Sequence, residues 1–553
     1  MREVAALAFC RHPLGERPLE TARIAKSISK KKPNLYITIA DLFDDVFEAE
    51  HFADMYPKMG QWGIHPVRTC YMLIVQAIEG LSDAQLMEKV RFDLAMKYLL
   101  RVELAHKGWD ESVLSEAREK FAKTESCNRL LNVLLAKLKE KNLLKAKKQR
   151  TDSTHILSAA RSMNRYELVF EAVRDCLEAL MQAFPEFTML IRRPEWLSRY
   201  YLERPFNYKL PKDEAARIQR VEEVGADGEF ILESIDSHPE KAAMSEIPEV
   251  AVLRRILDEN FKGKGKELRF LKKGELKPSS QRLASTKDLD ARKSTKGALS
   301  WLGFRAHFTE TCEPGLPNFI THVLTTEATV NDSEVLQEIQ DALVEAELKP
   351  EIHLVDSGYC NVHTITEQKE KHGIDVWTRM TNGHTWQSKE AKGFAASDFQ
   401  INWEKEVVIC PQGKMNESWK PKMNDGQPTI DVKFPAATCG TCPSKNDCTK
   451  AASRHLQLKP RHVWDTMQML LKRQQTQEFK NAYACRAGIE GTHSQLMRSG
   501  KRRSSYMGAE KTHLSNVLSA IGVNLIRAAK AHLGFEKAKT RTGKYPEALA
   551  AVS

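Results

Sequence analysis

Tyr483, Arg486 and Glu490 stand at i, i+3 and i+7. On a helix that spacing puts all three on one face. A phenol, a guanidinium and a carboxylate in a row make a poor core face, and they suit a surface that meets phosphate and a metal ion. A basic run follows within YACRAGIEGTHSQLMRSGKRRSSYMGAEK: Arg498, Lys501, Arg502, Arg503 and Lys511, with Tyr506 among them after the Gly500 turn. A carboxylate able to hold a divalent cation, beside side chains able to hold a polyanion, points to chemistry on nucleic acid. The competing reading is a surface helix with scattered charge. Residues 461–530 carry twelve Lys/Arg and four Asp/Glu, a net of +8 in a chain whose formal net charge is +11. Such a local excess favours DNA or RNA ahead of an anionic membrane. Phosphate contacts of this kind supply affinity and salt dependence but no sequence reading.

Two more acids have the right surroundings for a metal site. Asp356 ends EIHLVDSGYC, a buried-type strand introduced by Pro350. The carboxyl ends of strands are where open α/β sheets place ligands. Asp152 lies in a second strand candidate, TDSTHILSAA. Mg²⁺ takes hard oxygen ligands, usually a few carboxylates, and keeps waters for a substrate phosphate. Two such ions, ~3.5–4 Å apart, activate a water or a 3′-hydroxyl and steady the leaving oxygen. Each acid also has a plainer use. Asp152 suits a turn or helix N-cap, and Asp356 before Ser-Gly-Tyr suits a turn. Spacing alone does not gather the three, since only the fold joins segments so far apart.

The chain holds eleven cysteines. Cys10, Cys70, Cys127, Cys176, Cys312, Cys360 and Cys485 follow no partner pattern, and a disulfide framework is not expected in a chain this long without a signal sequence. Cys410, Cys439, Cys442 and Cys448 share one β-prone, Gly/Pro-rich segment that includes a C-x2-C pair. Thiolates grip Zn²⁺ tetrahedrally, and a closed four-cysteine site is structural. A segment so poor in apolar residues could draw much of its folding free energy from the metal. Redox use of CGTC is the weaker reading, because the βαβ context is missing. Four unligated thiols are the alternative.

The elements that must carry these residues follow from periodicity. At 553 residues, with 42% hydrophobic and 28% charged content, the chain should hold two to four soluble domains. No apolar run approaches the ~20 residues of a membrane span, and the start lacks a signal-peptide layout. Residues 36–143 read as helical: Pro66 opens an apolar pattern that Gly80 stops, Ser82 and Gln85 form a capping box, Asp110 suits an N-cap for 111–122, and Leu130–Leu138 mark another helix. Arg91, Lys97 and Arg101 on these helices are candidates for reading a major groove. KAKKQR at 145–150 reads as a basic linker. Residues 163–284 look helical and charged. From 300 the period becomes that of strands, in WLGFRAHFTET and NFITHVL, then a helix at 333–348 and the Asp356 strand. Helix returns over 460–533. Strand, strand, helix, strand implies a mixed sheet with helices packed on it, an α/β fold.

Several of these stretches together resemble the bacterial insertion-sequence DDE transposases of IS1182 type, within the IS4/IS5-like group. The resemblance spans roughly residues 40–530. HPVRTCYMLIVQAIEGLSDAQLMEKVRFDLAMKYLL (65–100) is similar to their helical N-terminal domain, and TDSTHI to their first-acid strand. DLDARKSTKGALSWLGFRAHFTET (288–311) and THVLTTEATVND (321–332) resemble the middle strands. HLVDSGYCN (353–361) and the 483–514 segment resemble the second- and third-acid motifs and are the most specific.

The resemblance implies an RNase H-like catalytic core with Asp152, Asp356 and Glu490 holding two Mg²⁺ (or Mn²⁺) ions. Tyr483 and Arg486 then belong to a Tyr-x2-Arg-x3-Glu-x6-Lys signature. This chain departs from it, with Met497 at the lysine position and Arg498 next. Tyr483, Arg486, Arg498, Lys501, Arg502, Arg503 and Lys511 are the implied DNA contacts.

The expected organisation is an all-helical N-terminal domain (1–150), a first core strand (151–162), a helical insertion (163–284), core strands (285–370), a small β-rich cysteine insertion (371–459), core helices (460–535) and a tail (536–553). The expected activity is cleavage of the ends of the chain's own mobile element and joining of the 3′-hydroxyls to target DNA. The expected partners are double-stranded terminal repeats, target DNA and a second copy on DNA, with no membrane and no organic cofactor, in the cytoplasm at the nucleoid. A catalytically retired DNA-binding protein, or a nuclease without strand joining, are the alternatives.

Overall fold

The computed structural model describes residues 14–55, 63–202, 213–380, 393–424, 426–498 and 500–535. The expected tail and Cys10 lie outside these residues.

Ten residues, β1 (Lys148–Leu157), organise the main sheet. Its first three residues fall within the stretch read as a basic linker, so that expectation is corrected. Gln149 and Arg150 are buried here because each polar head finds partners, Gln149 on the carbonyls of Ala146 (3.0 Å) and Leu348 (2.6 Å), Arg150 on Glu310 (2.5 Å). After β1 the chain makes a long excursion, which includes the short pair β2 (Phe261–Lys262) and β3 (Arg269–Phe270). It returns as β4 (Arg292–Lys296), β5 (Leu299–Thr311) and β6 (Ile320–Glu327). β5 runs antiparallel to β1, β4 and β6. β7 (Ile352–Val355) then lies parallel to β1 on its other edge, and β8 (Asp375–Trp377) parallel to β7. The result is the mixed sheet that the strand–strand–helix–strand pattern implied. β1, β6 and β7 run in one sense, so their carboxyl ends meet at one edge.

The N-terminal helices are α1 (Leu19–Ser29), α2 (Leu35–Leu42), α3 (Pro66–Glu79), α4 (Asp83–Phe92), α5 (Leu94–Leu100), α6 (Ser112–Phe121) and α7 (Thr124–Glu140). α3 starts on Pro66 and stops at left-handed Gly80, and α4 carries the Ser82–Gln85 capping box, as read. Asp110 accepts from the Ser112 N–H at 2.9 Å just ahead of α6. These helices share one hydrophobic core with the sheet. Of their three groove-reading candidates Lys97 and Arg101 are corrected, while Arg91 is exposed. Lys97 is buried and donates to the carbonyls of Leu104 and His106, Arg101 pairs with Asp44 at 2.6 Å, and Arg91 donates to the Lys107 carbonyl at 3.0 Å.

Two excursions have cores of their own. α8 (Arg165–Ala183), α9 (Pro185–Ile191), α10 (Pro194–Leu197), α11 (Glu214–Asp236), α12 (Lys241–Ser245) and α13 (Pro248–Asn260) bury Val169, Ile231 and Leu253. The Met163 N–H meets the Ala284 carbonyl at 3.1 Å where this lobe begins and ends.

After β6 come α14 (Asp332–Glu345) and α15 (Val362–His372). The second lobe follows β8. It holds β9 (Gln400–Asn402), β10 (Val407–Ile409), β11 (Ser418–Asn424), β12 (Gln427–Lys433), α16 (Ala436–Gly440), α17 (Lys445–Cys448) and β13 (His455–Leu458) around Val408, Val432, Phe434 and Leu458. α18 (Arg461–Arg473) leads back, with Arg473 on Asp375 at 3.0 Å and the Met380 N–H on Gln474 at 2.9 Å. The chain closes with α19 (Gln477–Ala484), a 3-10 turn (Cys485–Gly488), α20 (Ile489–Met497) and α21 (Ala509–His532), which packs on β6, α2, α3 and α7. Among the described residues no helix is long and apolar enough to cross a membrane.

Candidate active site

Parallel pairing sets the first contact of the site. Thr151 is the register partner of Val355, so Asp152, midway along β1, lies beside Asp356, the first residue past the end of β7. Strands pack about 4.8 Å apart, so the two carboxylates share one pocket. Burial, reinforced by the charges of Asp356 and Asp332, pushes the Asp152 carboxyl up to about 6, against the pull of the Ser153 N–H and Arg486. Asp356 is fixed through its backbone. Tyr483 donates its hydroxyl to the Val355 carbonyl at 2.9 Å, and Thr378 donates to the Asp356 carbonyl at 2.9 Å. Its own Oδ1 accepts the Gly358 N–H at 2.8 Å.

The segment from 485 to 503 lies along one face of β1. Residues two apart on a strand share a face, and Arg150, Asp152 and Thr154 each have a partner there. Arg150 donates to the Cys485 carbonyl, Arg486 Nη1 stands 3.3 Å from Asp152 Oδ2, and Arg502 donates to Thr154 Oγ1 at 2.6 Å. The chains cross closely at Gly488, where a Cβ would come 2.3 Å from Arg150 Nη1 and the guanidinium would have to shift. His493 of α20 makes a hydrogen bond to the backbone of Asp152 and packs its ring on Phe308, with centroids 5.8 Å apart.

Glu490 sits on α20 between Arg486 and His493, both of which contact Asp152. It is exposed, and no ion pair or hydrogen bond links it to either aspartate. The structure therefore brings Asp152 and Asp356 together and carries the Glu490 helix to the same strand. Among the described residues no three His, Cys, Asp or Glu side chains stand at metal-ligating spacing.

The expected DNA contacts divide. Tyr483 is buried, its ring stacked on Phe479 at 4.9 Å, so its role is corrected to holding α19 on β7. Arg502 donates to the His155 carbonyl at 2.9 Å and Arg503 to the Ser158 carbonyl at 2.9 Å, so both brace β1. Lys501 is half-buried, which lowers its ammonium, and Lys511 pairs with Glu119. Arg498 is exposed. Met497, at the signature's lysine position, is half-buried against the main core. A guanidinium has five donors, so Arg486, Arg502 and Arg503 retain N–H groups for a phosphate.

The sequence reading missed two groups. Asp332, at the start of α14, stands beside Asp356 across Gly358. Its only local signal is the Asn331–Glu334 capping box, which predicts a helix start and nothing about the next strand. Glu310, fully buried on β5, accepts from Arg150 at 2.5 Å, Arg527 at 2.9 Å and Thr492 at 2.6 Å. Its isolated acid in an apolar strand was the available sign.

In the second lobe Cys410, Cys439, Cys442 and Cys448 line one cavity with Phe434 and Arg454. None is in a disulfide. Gly413 takes a left-handed φ of 75° and turns the chain so that the Lys414 N–H donates to Cys410 Sγ at 3.4 Å. Burial and then the three neighbouring thiols raise the Cys448 thiol, against the pull of Arg454.

Comparison with known families agrees with this architecture. A family model for a transposase DDE domain matches residues 409–529, and one for a transposase domain (DUF772) matches residues 24–120. The chain is thus a transposase of the DDE class, and its mixed sheet fits the RNase H-like core such a domain implies. The pairing of the two domains is typical of insertion-sequence transposases of IS1182 type, as the motifs implied. The DDE match contains Glu490 and the four cysteines; Asp152 and Asp356 lie between the two matches. No curated protein and no solved structure matches the chain. Transposases of these families act on DNA.

Proposed function

We propose that this transposase cleaves the ends of its insertion sequence and joins the freed 3′-hydroxyls to target DNA, with Asp152, Asp356 and Glu490 as its acids. The observation that carries the reading is the side-by-side placement of Asp152, within β1, and Asp356, at the end of the parallel β7, with Arg486 of the third-acid segment on Asp152. The donor set fits a hard divalent cation, since the pocket offers carboxylate oxygens and crowds negative charge onto Asp152. What two Mg²⁺ or Mn²⁺ ions supply when bound to such acids is activation of a water or 3′-hydroxyl and neutralisation of the leaving oxygen. Arg486 and Arg498 bind the scissile-strand phosphates, while Tyr483 and Thr378 hold the Asp356 turn still. Two ends must be processed together, so the working form is a dimer on double-stranded DNA. Asp356→Asn, assayed for end cleavage in Mg²⁺, tests the acids: undiminished nicking rules them out. Precut ends test the second half of the reaction, and a nuclease would give no joined product.

We further propose a structural zinc ion in the second lobe. Four thiols around one cavity, with a backbone N–H already aimed at Cys410, suit a closed sulfur site once the side chains turn inward. Metal analysis of the purified protein should give one zinc per chain, and Cys439→Ser with Cys442→Ser should remove it. A metal-free, fully folded wild type contradicts the assignment.

A further inference from the structure

The pocket of Asp152 and Asp356 has a third acidic wall outside the signature residues. Asp332 opens α14 with its side chain only 11% exposed. Arg305, from β5, reaches its Oδ1 at 3.0 Å, and His307 stands 3.8 Å away. A Cβ placed on Gly358 would lie 3.0 Å from Asp356 Oδ1 and 3.1 Å from Asp332 Oδ2. The two carboxylates therefore flank one bare α-carbon and are separated by no more than the sum of those distances.

A cap role does not explain Asp332, because Glu334 is the residue that accepts the Asn331 N–H, at 3.1 Å, while the Asp332 carboxylate accepts from Arg305. Nor is the charge of the pocket balanced. Arg486 serves Asp152 and Arg305 serves Asp332, which leaves the Asp356 carboxylate with the Gly358 N–H and, among the described residues, no ion pair. Around these groups the packing is closed: the buried Tyr359 hydroxyl bonds His307 Nδ1 at 2.7 Å.

We propose that Asp332 is a positioning residue for cation loading, acting on the Asp152–Asp356 pair through the fixed geometry around Gly358. Its charge adds to the attraction for a divalent ion, and its bond to Arg305 keeps that charge beside Asp356. The inference rests on the two-aspartate reading of the active site. Groups that act on metal ligands from behind typically change metal affinity 10–100-fold when removed, and that is the size expected here.

The test titrates full-length protein with Mn²⁺ in the absence of DNA and reads free Mn²⁺ by its electron paramagnetic resonance signal. Asp332→Asn should weaken binding about 10–100-fold while a cooperative unfolding transition is retained in chelator, and Asp332→Glu should recover most of the binding. In end cleavage, Asp332→Asn should raise the half-saturating metal concentration while the rate at saturating metal approaches wild type. Binding equal to wild type, or a rate lowered equally at every metal concentration, overturns the proposal. Asp332→Ser gives the same comparison if the Asn variant does not fold. Asp356→Asn separates the two readings. If it binds Mn²⁺ as tightly as wild type, the two-aspartate site itself fails; if it loses Mn²⁺ while Asp332→Asn does not, only the role of Asp332 fails.

Discussion

At Glu310 one carboxylate, sealed from water, is met by two guanidiniums and a hydroxyl, of which Arg150 and Thr492 are buried and Arg527 is partly buried. Two residues away across the β1–β5 pairing, Asp152, Asp356 and Asp332 have, among the described residues, Arg486 and Arg305 as their cationic partners, with His307 3.8 Å from Asp332. Burial acts on both clusters, with opposite results. Arg527 and Arg150 overcome it and hold Glu310 below the usual carboxylate range, whereas burial and like charge raise Asp152 to about 6. A neutralised cluster fastens the structure. A cluster left short of positive charge is costly to the apoprotein and is a place for something cationic to bind.

The sharpest way to break this contrast is to remove one carboxylate from each cluster. Asp356→Asn should lower end cleavage in Mg²⁺ by ~10³ or more, since metal-assisted charge stabilisation is worth several kcal/mol. Its urea-unfolding free energy should hold or rise, because like-charge crowding is relieved. Glu310→Ala should do the reverse, leaving the buried Arg150 and the partly buried Arg527 without their carboxylate and losing about 3–5 kcal/mol in urea unfolding. The same glutamate predicts an acid limit. Its folded pKa is depressed, so its contribution is complete above the unfolded value of about 4.3 and is lost as pH falls through the folded one. Glu310→Gln should flatten that part of the stability–pH curve. Gly358→Ala sets a Cβ 3.0 Å from Asp356 Oδ1 and 3.1 Å from Asp332 Oδ2, so both carboxylates must give slightly, and cleavage should fall more than thermal stability. Tyr483→Phe removes one hydrogen bond and should cost about 1 kcal/mol, read by thermal unfolding. A larger loss there would mean that the phenol does more than hold α19 to β7.

Local signals in the sequence survived where the chemistry was local. Pro66 and Gly80 bound α3, Ser82 and Gln85 cap α4, and the apolar run before Asp356 is β7. Errors arose where a charge found a distant partner. Lys97 and Arg101 read as cations free for DNA, yet carbonyls of the following loop and Asp44 absorb them. Gln149 and Arg150 read as linker, yet they line a strand because Leu348 and Glu310, remote in sequence, satisfy them. The roles of Asp332 and Glu310 went unread for the same reason. The meaning of either residue lies in which strands the sheet sets side by side, and no window along the chain contains that.

Each lobe is tied off at its base, the first by Met163 and Ala284, the second by Met380 and Gln474. Such a neck makes an appendage topologically detachable. It can lengthen, shrink or be exchanged by ordinary insertion and deletion without moving a single strand pairing beneath it. The polypeptide's size therefore reflects what has been hung on the chassis, and a short splice across either neck is the natural place to begin shortening it.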